Sequence, residues 1–353
     1  IVNALNFIRR LYMKIDETSS QTKNQAKNRI KGLGLCSGGL DSILSALLLK
    51  NQGICVTWIC FETPFFSSES ARKASQMTGI PLITLDITDD YMEMMKKPKA
   101  GFGKNMNPCM DCHALMFSNA GKILKEKSFH FLFSGEVLGQ RPKSQNKNSL
   151  RYVEKNSGFD GQILRPLCAK LLPQTLVEQS GLVDREQLMD ISGRSRKIQM
   201  QMAHDFGIKE YPSPAGGCLL TDKIFSNRLK DLMNIQTDFN KRELYLLKHG
   251  RHFRLDSKTK VIAGRSKNDN RHLLNYFEKD RDMLFNHAGM PGPDVILIGS
   301  ATKKNIQTAA MICASYTKST LGENTEIKTR TKETESILCV KTVKSIEFKK
   351  LMI

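Results

Sequence analysis

No apolar run in this chain of 353 residues reaches the ~18 that a membrane-spanning helix needs. The opening Ile1-Val2-Asn3 leads into a mixed amphipathic stretch, not into the apolar core of a secretory signal. Internal repeats and low-complexity tracts are absent too, which argues against a solenoid or a disordered array. Acidic residues are in short supply: 35 Asp and Glu face 54 Lys and Arg, for a net charge of +19. A field of that sign attracts polyanions. Nucleic acid comes before a membrane surface as the expected partner, because no strong basic amphipathic helix is present. Nine cysteines without a secretory leader point to a reducing, cytoplasmic setting, with thiols serving as ligands, nucleophiles or core residues and not as a disulfide framework. A hydrophobic share of 40% and a charged share of 25% suit a globular chain, and the length suits two or three domains.

One more absence shapes the most informative segment. Ser37-Gly38-Gly39-Leu40-Asp41-Ser42 joins a strand-like Gly32-Leu33-Gly34-Leu35-Cys36 to a helix-forming Ile43-Leu44-Ser45-Ala46-Leu47-Leu48-Leu49-Lys50. A small-residue turn between strand and helix is a phosphate cradle, since its backbone N–H groups approach an anion closely and the helix N-terminus adds partial positive charge. The lysine of a Walker A loop is missing. An Asp flanked by hydroxyls stands there instead, so the loop offers hydrogen bonds and a carboxylate but no point cation.

Short apolar runs alternate with helical patterns from Lys31 onward. Strands are expected at 54–61, 81–87 and 129–134, with a helix over 67–78. The pattern predicts an α/β fold with a doubly wound parallel sheet, whose ligands bind at the carboxyl ends of the strands. Leu35, Phe61 and Gly135 fall at such ends. The polar stretch 143–159 reads as a loop over the site, and 164–208 as mainly helical. Three regions are expected: an amphipathic helical extension over 1–30, the α/β domain over 31–222, and a smaller, basic α+β domain over 223–353.

Asn107-Pro108-Cys109-Met110-Asp111-Cys112-His113 holds the single Cys-x-x-Cys, in which both sulfurs can turn toward one centre. Cys218, after Pro214-Ala215-Gly216-Gly217, is the third candidate, and Cys168 or His113 a rival fourth. Structural zinc takes four protein ligands, so three convincing cysteines favour a [4Fe–4S] cluster with one open iron over zinc, and either over no metal. Cys36, Cys55 and Cys60 lie on apolar strands and read as core. Arg165, Lys170, Arg194, Arg196 and Lys197 form a basic group that suits either pyrophosphate or RNA backbone, or plain decoration of a helix start with Ser192 as its cap.

The six-residue loop resembles the PP-loop of the ATP pyrophosphatases, which split ATP into AMP and pyrophosphate while adenylating an oxygen. Combined with Asn-Pro-Cys-x-x-Cys and a distant Cys, it resembles the tRNA thiouridine synthetases. Gly135-Glu136-Val137-Leu138-Gly139-Gln140 is similar to a segment of the 4-thiouridine synthetases, and 107–113 is closer to the 2-thiouridylase pattern. Lys143 and its neighbours depart from the small residues expected there, and no room remains for the N-terminal THUMP domain. The resemblance implies ATP and Mg²⁺ as cofactors, with Leu35, Ser37, Gly38, Gly39, Asp41, Ser42, Phe61, Gly135 and Gln140 around the nucleotide. It also implies a catalytic set of Asp41, Cys109, Cys112 and Cys218. Sulfur would come from a cluster sulfide or from a cysteine persulfide, loaded by a sulfide or persulfide carrier, and a homodimer is compatible with all of this. Two readings stay open beside it: another PP-loop ATPase, of lysidine or deazaguanine-nitrile type, and an RNA-binding protein with a degenerate ATPase domain.

Residues 241–267 carry nine Lys and Arg against two acids. The runs 247–255 and 260–270 resemble the RNA-binding module of NFACT proteins and read as a hairpin around Asp256-Ser257. Arg251, Arg254, Lys260 and Arg265 are the expected RNA contacts, with tRNA as the partner. Phe253 is expected in the core.

Overall fold

The computed structural model describes residues 30–213, 218–236 and 239–353. The helix expected over 1–30 therefore lies, but for Ile30, outside the described residues, as do the four residues preceding Cys218. The chain divides into two compact units. One comprises Ile1–Phe61, Ser68–Ile87 and Cys109–Pro214; the other comprises Glu62–Ser67, Thr88–Pro108 and Ala215–Ile353. Two short segments from the N-terminal half thus pack with the C-terminal unit, which a single cut at 222 does not express.

The first unit is built on β1 (Lys31–Leu35), α1 (Leu40–Asn51), β2 (Cys55–Glu62), α2 (Glu69–Thr78), β3 (Leu82–Asp86), α3 (Cys109–Glu126), β4 (Phe131–Ser134), α4 (Lys147–Ser157), β5 (Ile163–Leu164) and α5 (Lys197–Asp205). The sheet order is β3-β2-β1-β4-β5, and β1 runs parallel to both β2 and β4. The strand order reverses around β1, so the crevice between the carboxyl ends of β1 and β4 is where a doubly wound sheet takes its ligand.

α1 explains its own position. Ile43, Ala46 and Leu49 pack with Trp58, Phe131 and Phe133, while Leu40, Leu44 and Leu48 pack with Val137, Leu167 and Met202. A helix that is apolar on two faces is buried between layers. On the sheet, Gly34 lies opposite Phe133, and a Cβ at Gly34 would fall 2.2 Å from that ring. The glycines that make β1 look weak as a strand are the space the β4 aromatics fill.

The stretch 143–159 departs from its expected loop. Lys147–Ser157 is a helix, capped by Asn146, whose side chain accepts from the Ser149 N–H, and closed by Gly158 at φ +80°. Leu150 and Val153 are its main apolar anchors. Conversely, 164–208 is mostly irregular, with one four-residue helix at Leu176–Gln179 before α5.

The second unit carries α6 (Lys223–Ile235), α7 (Lys241–Leu246), β6 (Arg251–Asp256), β7 (Thr259–Ala263), α8 (Lys267–Asn275), β8 (Asp282–His287), β9 (Val295–Ile298), α9 (Lys303–Ser315), β10 (Asn324–Arg330) and β11 (Glu335–Lys341). The six strands form one sheet in the order β11-β10-β8-β9-β7-β6, and the pairs recorded along it are antiparallel. The β6–β7 hairpin turns at Ser257-Lys258, next to the expected position. Phe253 is fully buried with Phe285 and Ile312, as its apolar ring favours. Among the described residues no helix is long and apolar enough to cross a membrane.

Candidate active site

The loop after β1 is shaped by glycine. Gly38 has φ +73°, and a Cβ there would fall 2.2 Å from the Ser70 backbone, so both conformation and space require glycine. Gly39 is the N-cap of α1 and supplies no side chain to it, which leaves the first-turn N–H groups without a side-chain cap. Such groups accept an anion. Ser42 is fixed by donating from Oγ to the Gly39 carbonyl at 2.7 Å, and Ser37 Oγ accepts from the Gly39 N–H at 3.4 Å. Across the crevice, Gly135 follows β4 directly, and a Cβ there would fall 2.5 Å from the Asp41 backbone. Leu35 and Phe61 end β1 and lie near the end of β2, as expected.

Asp41 is the charged group of this corner. Gln140 donates from Nε2 to Asp41 Oδ2 at 2.7 Å, and Gln199 Nε2 donates to Gln140 Oε1 at 3.3 Å. Oδ1 of Asp41 is buried without a hydrogen-bond partner. Burial pushes the carboxyl above its ordinary value, against the opposing pull of Gln140, Arg196 and Arg141. Gln199 is fully buried on α5 and was not singled out from the sequence. Its role comes from a tertiary contact with no local signal. An orphaned, buried carboxylate oxygen beside uncapped N–H groups is a fitting donor for Mg²⁺.

Cys109 and Cys112 fall in the first turn of α3, three residues apart and on one face, where the helix dipole favours negative charge. Asp111 between them accepts from the Tyr152 hydroxyl at 2.7 Å. His113, the next residue, places Nδ1 2.8 Å from Glu136 Oε1. Glu136 also accepts from Ser134 Oγ at 3.1 Å and Arg165 Nε at 3.0 Å. Burial alone would raise the Glu136 carboxyl, but the Arg165 charge and the His113 bond outweigh it and hold the group down at about 2. This ionised carboxylate ties the cysteine helix to the residue that touches the Asp41 backbone.

Several expected residues take other places. Arg165 is only 2% exposed and is engaged with Glu136 and Glu154, so it faces no pyrophosphate or RNA. Cys168 is fully buried and donates its S–H to the Glu136 carbonyl at 3.3 Å, and burial pushes the thiol up to about 11. Ser192 caps no helix; the N-cap of α5 is Arg196. Arg194 and Lys197 are exposed, and Lys170 bonds to Glu186. Cys218 belongs to the second unit, where its carbonyl accepts from Thr221 Oγ1 at 2.7 Å. Among the described residues no group of three or more His, Cys, Asp or Glu is arranged to hold a metal ion.

In the second unit the four expected RNA contacts differ in availability. Arg251 lies over the Tyr316 ring at 4.4 Å. Arg254 bonds Asp231 through two nitrogens, and Arg265 bonds Asp269 at 2.7 Å. Lys260 is 7% exposed. Lys258 in the β6–β7 turn and Lys267 at the start of α8, not singled out before, are exposed.

A five-stranded parallel α/β sheet with a glycine loop after its central strand and an Asp at the helix start has the form of a nucleotide-binding domain. Residues 28–171 match the family described as thiamine biosynthesis protein (ThiI), and residues 250–352 match the NFACT protein RNA binding domain. The chain joins a ThiI-type PP-loop domain to an NFACT-type RNA-binding domain. It is 27% identical over 146 residues to a probable tRNA sulfurtransferase of Limosilactobacillus fermentum, covering 39% of this chain and 34% of that protein. It is 28% identical over 168 residues to a probable tRNA sulfurtransferase of Thermococcus kodakarensis, covering 46% and 40%. With the tRNA-specific 2-thiouridylase MnmA of Karelsulcia muelleri it shares 27% over 191 residues, covering 49% and 48%. The chain thus spans between a third and a half of the length of these relatives. Among solved structures, a 4-thiouridine synthetase–RNA complex with bound ATP aligns at 19% identity and a TM-score of 0.33, covering 50% of this chain and 52% of that one.

Proposed function

We propose that this protein is an ATP-dependent tRNA sulfurtransferase that thiolates a uridine in the cytoplasm. The observation that carries the reading is the bridge from His113, beside the Cys109–Cys112 turn, through Glu136 to Gly135 and the backbone of Asp41. It holds a sulfur-bearing pair and a phosphate loop in one unit.

ATP phosphates fit the N–H groups of the Gly38-Gly39 turn and of the α1 start. Mg²⁺ would be held by Asp41 Oδ1 and supply charge neutralisation there. The uridine carbonyl oxygen attacks the α-phosphate, the bond to the β-phosphate breaks, and pyrophosphate leaves. The carbonyl oxygen, now part of an adenylate, departs as AMP when sulfur adds to the same carbon. The chain contributes mainly position and charge.

Sulfur arrives as a persulfide on Cys109 or Cys112. Its terminal sulfur bonds to the base, and the other cysteine cleaves the S–S bond, leaving a disulfide in the protein and the sulfur on the base. A reductant such as a dithiol then restores the pair. The two cysteines also suit two ligands of an iron–sulfur cluster, which would supply the sulfur as sulfide. Zinc fits less well, since two cysteines on one turn leave a structural site two ligands short.

The deciding experiment is mass spectrometry of nucleosides from tRNA incubated with the protein, ATP and Mg²⁺, in parallel with a persulfide donor plus a dithiol and, for cluster-reconstituted protein, with sulfide. A new thiouridine, read for sulfur at carbon 2 or carbon 4, is expected. Its absence, with intact ATP binding, overturns the reading. Iron and sulfide analysis of anaerobically purified protein decides between cluster and persulfide.

A further inference from the structure

A cavity of about 200 Å³ opens in the second unit beneath the β6–β7 hairpin. Its apolar wall includes Leu246 and Ile262, and its charged lining is Arg254, Lys258, Lys260 and Glu243, with Gln236 and Ser257 as uncharged polar neighbours. Lys260 is the unusual member. Every residue of β7 is buried, Lys260 included at 7% exposure. Its cross-strand neighbour is Arg254, so two cations lie side by side, an arrangement that repels unless an anion intervenes. Of the nearby carboxylates, Asp231 already neutralises Arg254 and Glu243 serves a helix cap, so among the described residues Lys260 is the cation of the pair left without a contact partner. Both oxygens of Asp231 take the Arg254 guanidinium at 3.1 and 2.5 Å. Glu243 Oε2 accepts the Asn240 N–H at 3.0 Å in the cap of α7. Among the described residues no ion pair or hydrogen bond is recorded for the Lys260 ammonium. A buried ammonium without a contact anion is costly to keep, and a place in a cavity whose charged lining is three cations to one carboxylate gives it a use.

We infer that this cavity is a phosphoryl-binding site, with Lys260 facing the phosphate, Arg254 beside it in its pair with Asp231, Lys258 at the mouth, and the aliphatic wall against the attached sugar or base. The class of ligand is a nucleotide, either within RNA or free. The site lies in the RNA-binding domain and goes beyond the thiolation chemistry assigned to the first unit.

The charge state supports the assignment. Burial lowers the Lys260 ammonium to about 7, with Arg254 and Arg228 acting in the same direction and Asp231 and Glu243 opposing. α6 contributes Asp231 and Arg228, α7 contributes Glu243, β6 contributes Arg254, the hairpin turn contributes Lys258, and β9 presents the uncharged Ile298. A phosphate would restore the missing negative charge and hold the proton on Lys260, so its binding should draw a proton from solution near neutral pH.

The test is calorimetric titration of the full chain and of Lys260→Met with uridine 5′-monophosphate and with an unmodified tRNA transcript, at pH 6, 7 and 8. The PP-loop also accepts phosphate, so the Lys260-dependent part of the binding is the readout. A loss of tenfold or more in mononucleotide affinity is expected in Lys260→Met, together with weaker wild-type binding as pH rises through 7. If the transcript loses affinity by the same factor, the phosphate belongs to RNA; if only the mononucleotide does, it belongs to a free nucleotide. Lys260→Met should also melt higher, because a buried cation is gone. Unchanged affinity for both probes overturns the site. Should Lys260→Met fail to fold, Lys258→Ala at the exposed mouth decides instead: a severalfold loss supports the site and no change sinks it. Asp41→Asn removes thiolation but should leave this binding intact, so failure of either reading shows separately.

Discussion

Gln140 Nε2 lies 2.7 Å from Asp41 Oδ2, so a residue 99 positions downstream aims the carboxylate of the phosphate loop. Gln199 in turn anchors Gln140. The other carboxylate oxygen is left toward the nucleotide corner. Removing a hydrogen bond to a charged group costs about 1.5–3 kcal/mol. Gln140→Leu should therefore lower tRNA-dependent ATP–pyrophosphate exchange by about tenfold or more. Gln199→Leu should lower it less, since Gln140 keeps its direct bond. Equal losses would show that the weaker direct pull of Gln199 on Asp41 matters as much as the Gln140 bond.

Asp41 binds its proton more readily in the folded chain than in the unfolded one, chiefly because it is buried. A raised carboxyl favours the folded state when protonated and disfavours it when ionised. Asp41→Asn should thus be more stable than the parent protein at pH 7. That gain should disappear as pH falls below the ordinary carboxylate range. Thermal melts across pH 3–8 measure this, and the same variant should have no thiolation activity.

Glu136 has the opposite sign. Its carboxyl is held down at about 2 in the folded state, against an ordinary value near 4.5. Its contribution is complete above about 4.5 and is lost as pH falls from there through 2. Glu136→Gln leaves the buried Arg165 with Glu154 alone. Urea unfolding should show a loss of about 3 kcal/mol, as for other broken buried pairs.

Gly135→Ala introduces a carbon 2.5 Å from the Asp41 backbone. The end of β4 must then move away from α1. ATP binding, followed by calorimetry, should fall below detection while far-ultraviolet circular dichroism stays close to that of the parent.

Cys109→Ser and Cys112→Ser separate the two half-reactions. Each should abolish thiouridine formation in the nucleoside assay. Pyrophosphate exchange should continue, since neither thiol belongs to the phosphate loop. Loss of exchange in both variants would refute the division of labour.

The strands β1, β2 and β4 were legible because buried parallel strands are near-continuous apolar runs, and the glycine loop because its geometry leaves little choice of residue. The helix Lys147–Ser157 was hidden: polar residues dominate it, and its stability rests on Asn146, Gly158 and a few apolar anchors. Gln199 and Lys260 carry no local sign of their roles. A glutamine in Lys-Ile-Gln-Met-Gln is ordinary until the fold brings Gln140 to it. A lysine inside a basic ribbon reads as exposed until the β7 burial pattern turns it inward. Arg165 misled for the same reason, its partner Glu136 lying 29 residues away.

The pairing of β1 with β4 also sets an order of events during synthesis. Gly32 pairs with Phe131 and Leu35 with Ser134, so roughly a hundred residues must be made before the central strand acquires its second neighbour. Closing a loop of that length is slow compared with forming local helices. Until then the apolar faces of β1 and α1 have only one side covered, and the turn at Ser37 has no Gly135 behind it. Acquisition of nucleotide affinity should accordingly be a late step in folding, and ATP would act as a ligand that selects completed molecules.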